Sequence, residues 1–426
     1  MNPIIIIGAG LAGWTTAREF RKLDAITPVA MITADSGDFY AKPTLSNAFA
    51  QKKAPEQLVV TPAAKMAETQ NVTLLAQTRV LSFDPNVKTV TTDKDGVVQS
   101  FDFSSLVLAT GAQPIRVPVA GDAADQVLSV NSLDDFTSFY EALKSASSRR
   151  VYCLDCYENN SEIGNKNKAS APVKIVIMGA GLIGCEFAND LIYAGYQVSV
   201  VDPASRPLAA LLPEAASEQL RQALQDLGVQ WHFGTTVQAV NHVVSQTVNQ
   251  TDKDAESALQ VTLANGQTIP ADVVLSAIGL RADTCLASTA GLACERGIQV
   301  DAALQTSVPN VYALGDSAQY ASAGNATLPY VMPIMNAARA LAQTLAQTLT
   351  GQKTEVVFPV MPVAVKTPAL PLMIAPPAMG SKGQWTSAEP NVWQFNNEQN
   401  VVTGFVLAGA QTAKRAEMVK LLQAAL

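Results

Sequence analysis

The sequence predicts an α/β fold with two parallel-sheet domains of one type and an α+β domain at the C-terminus. Three observations carry that prediction. The chain repeats one pattern internally, each copy opens on a short unbroken apolar run, and 48% of its 426 residues are hydrophobic against 15% charged. Such a balance suits parallel strands covered on both faces, and the length exceeds one ordinary domain.

The repeat comes first. Ile4-Ile-Ile-Ile7 leads into Gly8-Ala9-Gly10-Leu11-Ala12-Gly13, and Ile175-Val-Ile-Met178 leads into Gly179-Ala180-Gly181-Leu182-Ile183-Gly184. Each is a buried strand, a GxGxxG turn and the start of a helix, the opening of a Rossmann-like dinucleotide-binding domain. The first glycine allows the tight turn, the second lets a pyrophosphate approach the backbone, and the third lets helix and strand pack closely. The helix N-terminus faces the phosphates with positive potential. A lone GxGxxG is weak evidence, but both copies continue to a second apolar strand, Val29 to Asp35 and Val198 to Asp202. Each is expected to end in an acid, at an offset of ~20 residues. A carboxylate at Asp202 holds ribose hydroxyls and repels a 2′-phosphate, so NADH is expected over NADPH, with nearby Arg206 able to soften the preference.

Composition narrows the remaining choices. Net charge is -7, which argues against a nucleic-acid binder. No apolar run approaches the ~18 residues of a membrane span, and the N-terminus lacks the charged and apolar regions of a signal peptide. Five cysteines in this length make no disulfide framework, which fits a reducing, cytoplasmic setting. The two histidines, His232 and His242, fall in peripheral strand and loop, so histidine-based hydrolysis is not expected and no metal site is assigned. Hydride transfer needs no histidine, because the cofactors carry the chemistry.

Two apolar strands break at glycine, Leu106 to Gly111 and Val273 to Gly279, and suit a chain crossing between domains. Further on stands Thr306-Ser-Val-Pro-Asn-Val-Tyr-Ala-Leu-Gly315-Asp316. With this motif the chain resembles the flavoproteins that carry two dinucleotide-binding domains. The resemblance implies that the first unit binds FAD, that Asp316 holds a ribityl hydroxyl, and that the second unit binds NAD(P)H, which the Asp202 reading narrows to NADH. The expected FAD-binding domain spans 1–113 and 277–330, the NAD-binding domain 114–276, and the C-terminal domain 331–426. The C-terminal sheet is expected from Val360 to Val365, Pro371 to Ala375, Asn391 to Asn396 and Val401 to Leu407.

Several branches of those flavoproteins place a reactive cysteine beside the flavin, near residue 43. Here the loop is Phe39-Tyr-Ala-Lys42-Pro-Thr-Leu-Ser46, and no cysteine precedes Cys153. Disulfide and sulfenate chemistry therefore lose their key group, and electrons are expected to leave the flavin directly. The resemblance also places Lys42 and Glu186 beside flavin N5 as a pair that tunes it, since a buried lysine needs a partner. A helix after Pro329-Tyr330-Val331, with Ala337, Leu341, Leu345 and Leu349 on one face, is expected to aim its N-terminus at the flavin.

Finer matches point to one branch. Arg18 to Leu23, Lys42 to Ser46, Gly179-Ala-Gly-Leu-Ile-Gly-Cys-Glu-Phe-Ala-Asn-Asp190, Tyr330 to Ile334 and Met361 to Pro368 resemble the bacterial rubredoxin–NAD(+) reductases over nearly the whole chain. That resemblance implies hydride transfer from NADH to FAD and single-electron transfer to rubredoxin, in support of alkane hydroxylation. The alternative is a ferredoxin reductase of an oxygenase system. By the same matching Ala9, Gly10, Leu11, Ala12, Thr33, Ala34, Lys42, Val80, Glu186, Asp316, Val331 and Lys366 contact FAD. One departure is an inserted polar loop at about 151–172, carrying Cys153 and Cys156. Membrane insertion is not expected, and the oligomeric state is left open between monomer and dimer.

Overall fold

A computed structural model of the chain describes residues 2–155, 171–243, 258–347, 351–378 and 380–424. The chain forms two compact units, the first from 1–42, 59–113 and 280–361, the second from 43–58, 114–279 and 362–426. Two of the chain's passages between units, at 113/114 and 279/280, fall where the apolar strands break at glycine.

The first unit is built on a five-stranded parallel sheet in the order Val311–Ala313, Ser105–Leu108, Ile4–Ile7, Val29–Ile32, Thr73–Leu75. All four isoleucines of the central strand are buried, which is why it reads as an unbroken apolar run rather than an alternating one. Helix Leu11–Arg21 makes the crossover to Val29–Ile32, burying Trp14, Ala17 and Phe20. Three antiparallel strands, Arg79–Asp84, Thr89–Lys94 and Val97–Asp102, form a side sheet.

Helix Val331–Ala346 belongs to this unit, not to the C-terminal domain expected from residue 331. It packs against Leu11–Arg21, and Ala337, Ala338, Leu341 and Leu345 lie in the same core as Ile4–Ile7. The alanines let the two helices approach closely, and Thr15 Oγ1 reaches Met335 Sδ at 3.8 Å. Leu349, expected on the same face, lies outside the described residues.

The second unit repeats the parallel sheet, ordered Val127–Ser129, Val273–Ser276, Lys174–Met178, Gln197–Asp202, Gln230–Phe233. His232 lies on the edge strand and His242 on Val237–His242 of a small antiparallel sheet. The C-terminal segment adds a five-stranded antiparallel sheet, ordered Val363–Val365, Leu372–Ala375, Val402–Ala408, Val392–Asn397, Gly383–Glu389. The strand Gly383–Glu389 went unforeseen because its side chains are mostly exposed, so no apolar pattern marks it.

Two further differences have local causes. Residues 43–58 pack with the second unit although both flanks belong to the first. The buried Asp190 carboxylate accepts the N–H groups of Phe49 and Ala50 at 2.8 and 3.0 Å, and the Phe49 ring lies against Phe136 and Phe139. Residues 151–155, expected to open an inserted loop, are helical instead, because helix Leu133–Asp155 contains neither glycine nor proline and runs through Cys153. Residues 156–170, with Cys156, lie outside the described residues. Among the described residues no helix is long and apolar enough to cross a membrane.

Candidate functional site

The two glycine loops have nearly the same backbone. Gly8 and Gly179 take φ of 107° and 102°, and a Cβ there would stand 2.2 Å from Ala109 O and 2.6 Å from Ala277 O. A Cβ on Gly13 or Gly184 would meet the carbonyl of Gly8 or Gly179 at 2.0 Å, so these glycines set how closely each helix seats on its strand. The middle glycines differ in kind. Beside Gly10 and Gly181 an added Cβ would find nothing within 4 Å, so open space lies where a phosphate must approach. Both are helix N-caps, at φ -75° and ψ -168° and at φ -77° and ψ -171°, with no capping side chain and no acid in the first turn. Exposed N–H groups and positive helix ends thus converge at each loop. The residues present fit a dinucleotide pyrophosphate at both.

The ends of the second strands are not alike. Gly8 N–H donates to Ile32 O and Gly179 N–H to Val201 O, each at 2.8 Å. Thr33 is therefore the structural counterpart of Asp202, and the acid expected at Asp35 lies two residues too late. Asp35 instead accepts Thr33 Oγ1 at 2.6 Å and Gly37 N–H at 2.9 Å, as the cap of a turn. Asp202 accepts the N–H of Ala180 at 2.6 Å and of Ala204 at 2.7 Å. A pocket of about 240 Å³ opens beside Ala34 and is lined also by Gln77, Arg79, Asp93, Asp95 and Gly96. Val80, expected to touch the cofactor, packs against the core of the first unit. Strand alternation sends its neighbour Arg79 toward the pocket instead. Sequence reasoning missed Arg79, though it adjoins a residue that was singled out.

Gly315 and Asp316 sit at the end of strand Val311–Ala313. Gly315 takes φ of 80°, and a Cβ there would come within 3.0 Å of Ala12 Cβ on the first loop's helix. Burial pushes the Asp316 carboxyl above its ordinary pKa, and Lys42, with Nζ at 3.9 Å, pulls it back. The buried Tyr320 hydroxyl accepts Gly315 N–H at 2.8 Å and donates to Gly315 O at 3.2 Å, fixing the peptide before Asp316. No sequence signal marked Tyr320. Val331 opens helix Val331–Ala346, again without a capping side chain.

In the second unit Glu186 lies on helix Leu182–Tyr193, just after the loop, and is 3% exposed. A carboxylate so buried needs compensation. Its Oε2 accepts Ser46 Oγ at 2.6 Å and pairs with Lys366 Nζ at 2.8 Å, while Oε1 accepts Lys366 N–H at 2.9 Å. Lys366 Nζ also reaches Ser46 Oγ at 2.9 Å and the carbonyl of Pro43. Inside their own units, then, Glu186 pairs with Lys366 and Lys42 with Asp316. Lys366 was expected near the cofactor but not as the partner of Glu186, for the two stand 180 residues apart. Ser46 lay within a singled-out motif and was not assigned a role.

The rest of that helix explains why its sequence is so particular. Phe187 meets Phe139 edge to face at 5.9 Å, and Asn189 accepts Ala369 N–H at 3.1 Å. Asp190 holds residues 49 and 50, and burial raises its pKa to about 6. The Cys185 thiol is fully buried beside Ala180 O, and burial pushes its pKa far up, so it is a packing group rather than a nucleophile.

Comparison with known proteins agrees with this geometry. Residues 2–344 match the family described as Pyridine nucleotide-disulphide oxidoreductase. Along 99% of its length the chain is 41% identical to 98% of the rubredoxin-NAD(+) reductase of Acinetobacter baylyi. The chain belongs to this family of reductases. The rubredoxin-NAD(+) reductase of Alcanivorax borkumensis is 42% identical, with 100% of the chain and 99% of that protein covered. Residues 355–422 match the domain described as Rubredoxin binding C-terminal domain. The fold is that of putidaredoxin reductase in its covalent complex with putidaredoxin, with a TM-score of 0.79 at 22% identity over 99% of this chain and 93% of that one. The family member described here is an oxidoreductase whose cofactors are FAD and NADH.

Proposed function

We propose that the chain carries electrons from NADH through FAD to rubredoxin in the cytoplasm, in support of alkane hydroxylation. One observation carries the reading. Glu186, just past the second glycine loop, is tied through both its oxygens to Lys366, which belongs to the segment that matches a rubredoxin-binding domain. The nucleotide-binding helix and the partner-binding segment thereby share an ion pair whose carboxylate is buried.

FAD, when bound, accepts a hydride from NADH and gives up its electrons one at a time. In the first unit, Gly10 and the N-terminus of Leu11–Arg21 hold the pyrophosphate. Thr33, Ala34 and Arg79 take the adenosine end, and Asp316 takes the ribityl chain. Lys42 and Val331 are assigned to the flavin ring by the same resemblance. In the second unit, Gly181 and Asp202 hold NADH, and the charge of Lys366 stays fixed beside Glu186. No thiol lies in the Lys42 to Ser46 loop, so the acceptor must take electrons without a disulfide relay.

The test is steady-state NADH oxidation coupled through rubredoxin to cytochrome c, with ferredoxin and NADPH in parallel. The expected result is fast turnover that needs rubredoxin, with ferredoxin and NADPH poor. A preference for ferredoxin would overturn the partner, and equal use of NADPH would overturn the role of Asp202.

A further inference from the structure

Arg206 follows Asp202 by four residues, where a cation could serve as a receptor for a 2′-phosphate. Its side chain is spent differently. Nη1 donates to Leu212 O at 2.9 Å and Nη2 to Ala209 O at 3.3 Å. The guanidinium therefore closes residues 206–212 into a ring. That ring is itself folded onto the second glycine loop. Leu208, buried and left-handed at φ 51°, donates its N–H to Ala180 O at 2.9 Å and accepts those of Leu211 and Leu212 at 2.9 and 3.0 Å.

Ala180, between the first two glycines of the loop, is consequently held on both sides. Asp202 takes its N–H and Leu208 donates to its carbonyl. A non-glycine residue in the left-handed region is costly on its own, and Leu208 stays there because its neighbours fix it. Arg206 supplies two of those constraints through charge-assisted bonds to backbone carbonyls.

We propose that Arg206 is a positioning residue of the NADH loop and takes no part in choosing between NADH and NADPH, which is left to Asp202. The proposal rests on the reading of the second loop as the NADH site. It differs from the expectation that nearby Arg206 softens the preference. A guanidinium engaged with two carbonyls in a planar fork has its donors already directed, whereas the Asp202 carboxylate stands at the strand end beside the loop.

The test uses the FAD-loaded protein and two dead-end ligands, ADP-ribose and its 2′-phosphorylated form, titrated against wild type, Arg206→Ala and Asp202→Asn. Arg206→Ala should weaken both ligands by the same factor, about tenfold for two lost charge-assisted bonds. It should raise KM for NADH with kcat little changed. Asp202→Asn should change the ratio between the two ligands. Selective loss of the phosphorylated ligand in Arg206→Ala, or no change in either, overturns the proposal. Failure of wild type to bind ADP-ribose overturns the nucleotide site itself. If Arg206→Ala does not fold, Arg206→Lys serves, since a lysine keeps the charge but cannot span both carbonyls. Equal weakening of the two ligands supports the loop role, and retention of the phosphorylated ligand alone overturns it.

Discussion

The loop at residues 8–13 and the loop at residues 179–184 have almost the same backbone, down to glycine φ values of 107° and 102°, yet different surroundings. The first is followed at its second-strand end by Thr33 and by the pocket beside Ala34 and Arg79. The second is followed by Asp202, whose carboxylate accepts two backbone N–H groups. The shared part is the part that fits a pyrophosphate, for which geometry is demanded by the ligand's charge and size. On the proposed reading, the divergent part is the part that meets the adenosine of each unit's own cofactor. A motif match alone would have treated the two ends as equivalent acids.

The largest effect should come from breaking one loop at a time. Gly13→Ala and Gly184→Ala each force a Cβ to within 2.0 Å of a backbone carbonyl. Gly13→Ala should yield colourless protein with little FAD by absorbance. Gly184→Ala should stay yellow and lose NADH affinity by about tenfold or more, the scale of overpacking strain. If both variants lose FAD equally, the two loops do not serve separate cofactors.

Next comes the ion pair beside the second loop. Lys366→Met removes the cationic partner of the buried Glu186 carboxylate and leaves its bond to Ser46, and should cost on the order of 3 kcal/mol in chemical unfolding. Glu186→Gln combined with Lys366→Met should recover most of that loss. A double variant no more stable than Lys366→Met would mean the pair contributes by packing rather than by charge.

A smaller effect separates the acids. Asp35→Ala removes a turn cap and should lower stability by about 1 kcal/mol while FAD affinity stays nearly unchanged in a fluorescence titration. A large loss of FAD affinity would restore Asp35 as a ribose ligand.

The smallest is a pH slope confined to the second unit. Burial raises the Asp190 pKa to about 6, above its unfolded value, so the folded state binds this proton more tightly. Its contribution to stability is full below the unfolded pKa and is lost as pH rises through about 6. Other carboxylates add their own slopes, so the measure is the difference in melting temperature between wild type and Asp190→Asn from pH 4 to 7. That difference should move in favour of Asp190→Asn as pH rises, and a constant difference would count against the raised pKa.

Much was legible without coordinates because the signals were local. The apolar runs at Ile4–Ile7 and Ile175–Met178, the glycine spacings and most strands of the C-terminal sheet follow from periodicity and from turns that only glycine makes easily, while the Gly315-Asp316 pair was marked by resemblance to a family motif. The sequence by itself thus determined two nucleotide-binding units, their order and the absence of a thiol in the Lys42 to Ser46 loop. Tertiary structure decided what depends on partners far apart in the chain. It paired Glu186 with Lys366 and Ser46, and it drew residues 43–58 to the second unit through Asp190. It also seated helix Val331–Ala346 in the first unit and put Thr33, not Asp35, at the strand end. The physical reason is common to all four. A buried charge takes whichever counter-charge the fold delivers, an alanine face takes whichever helix comes close enough, and a strand's last residue is set by register with its neighbour. None of these is encoded in the spacing of adjacent residues.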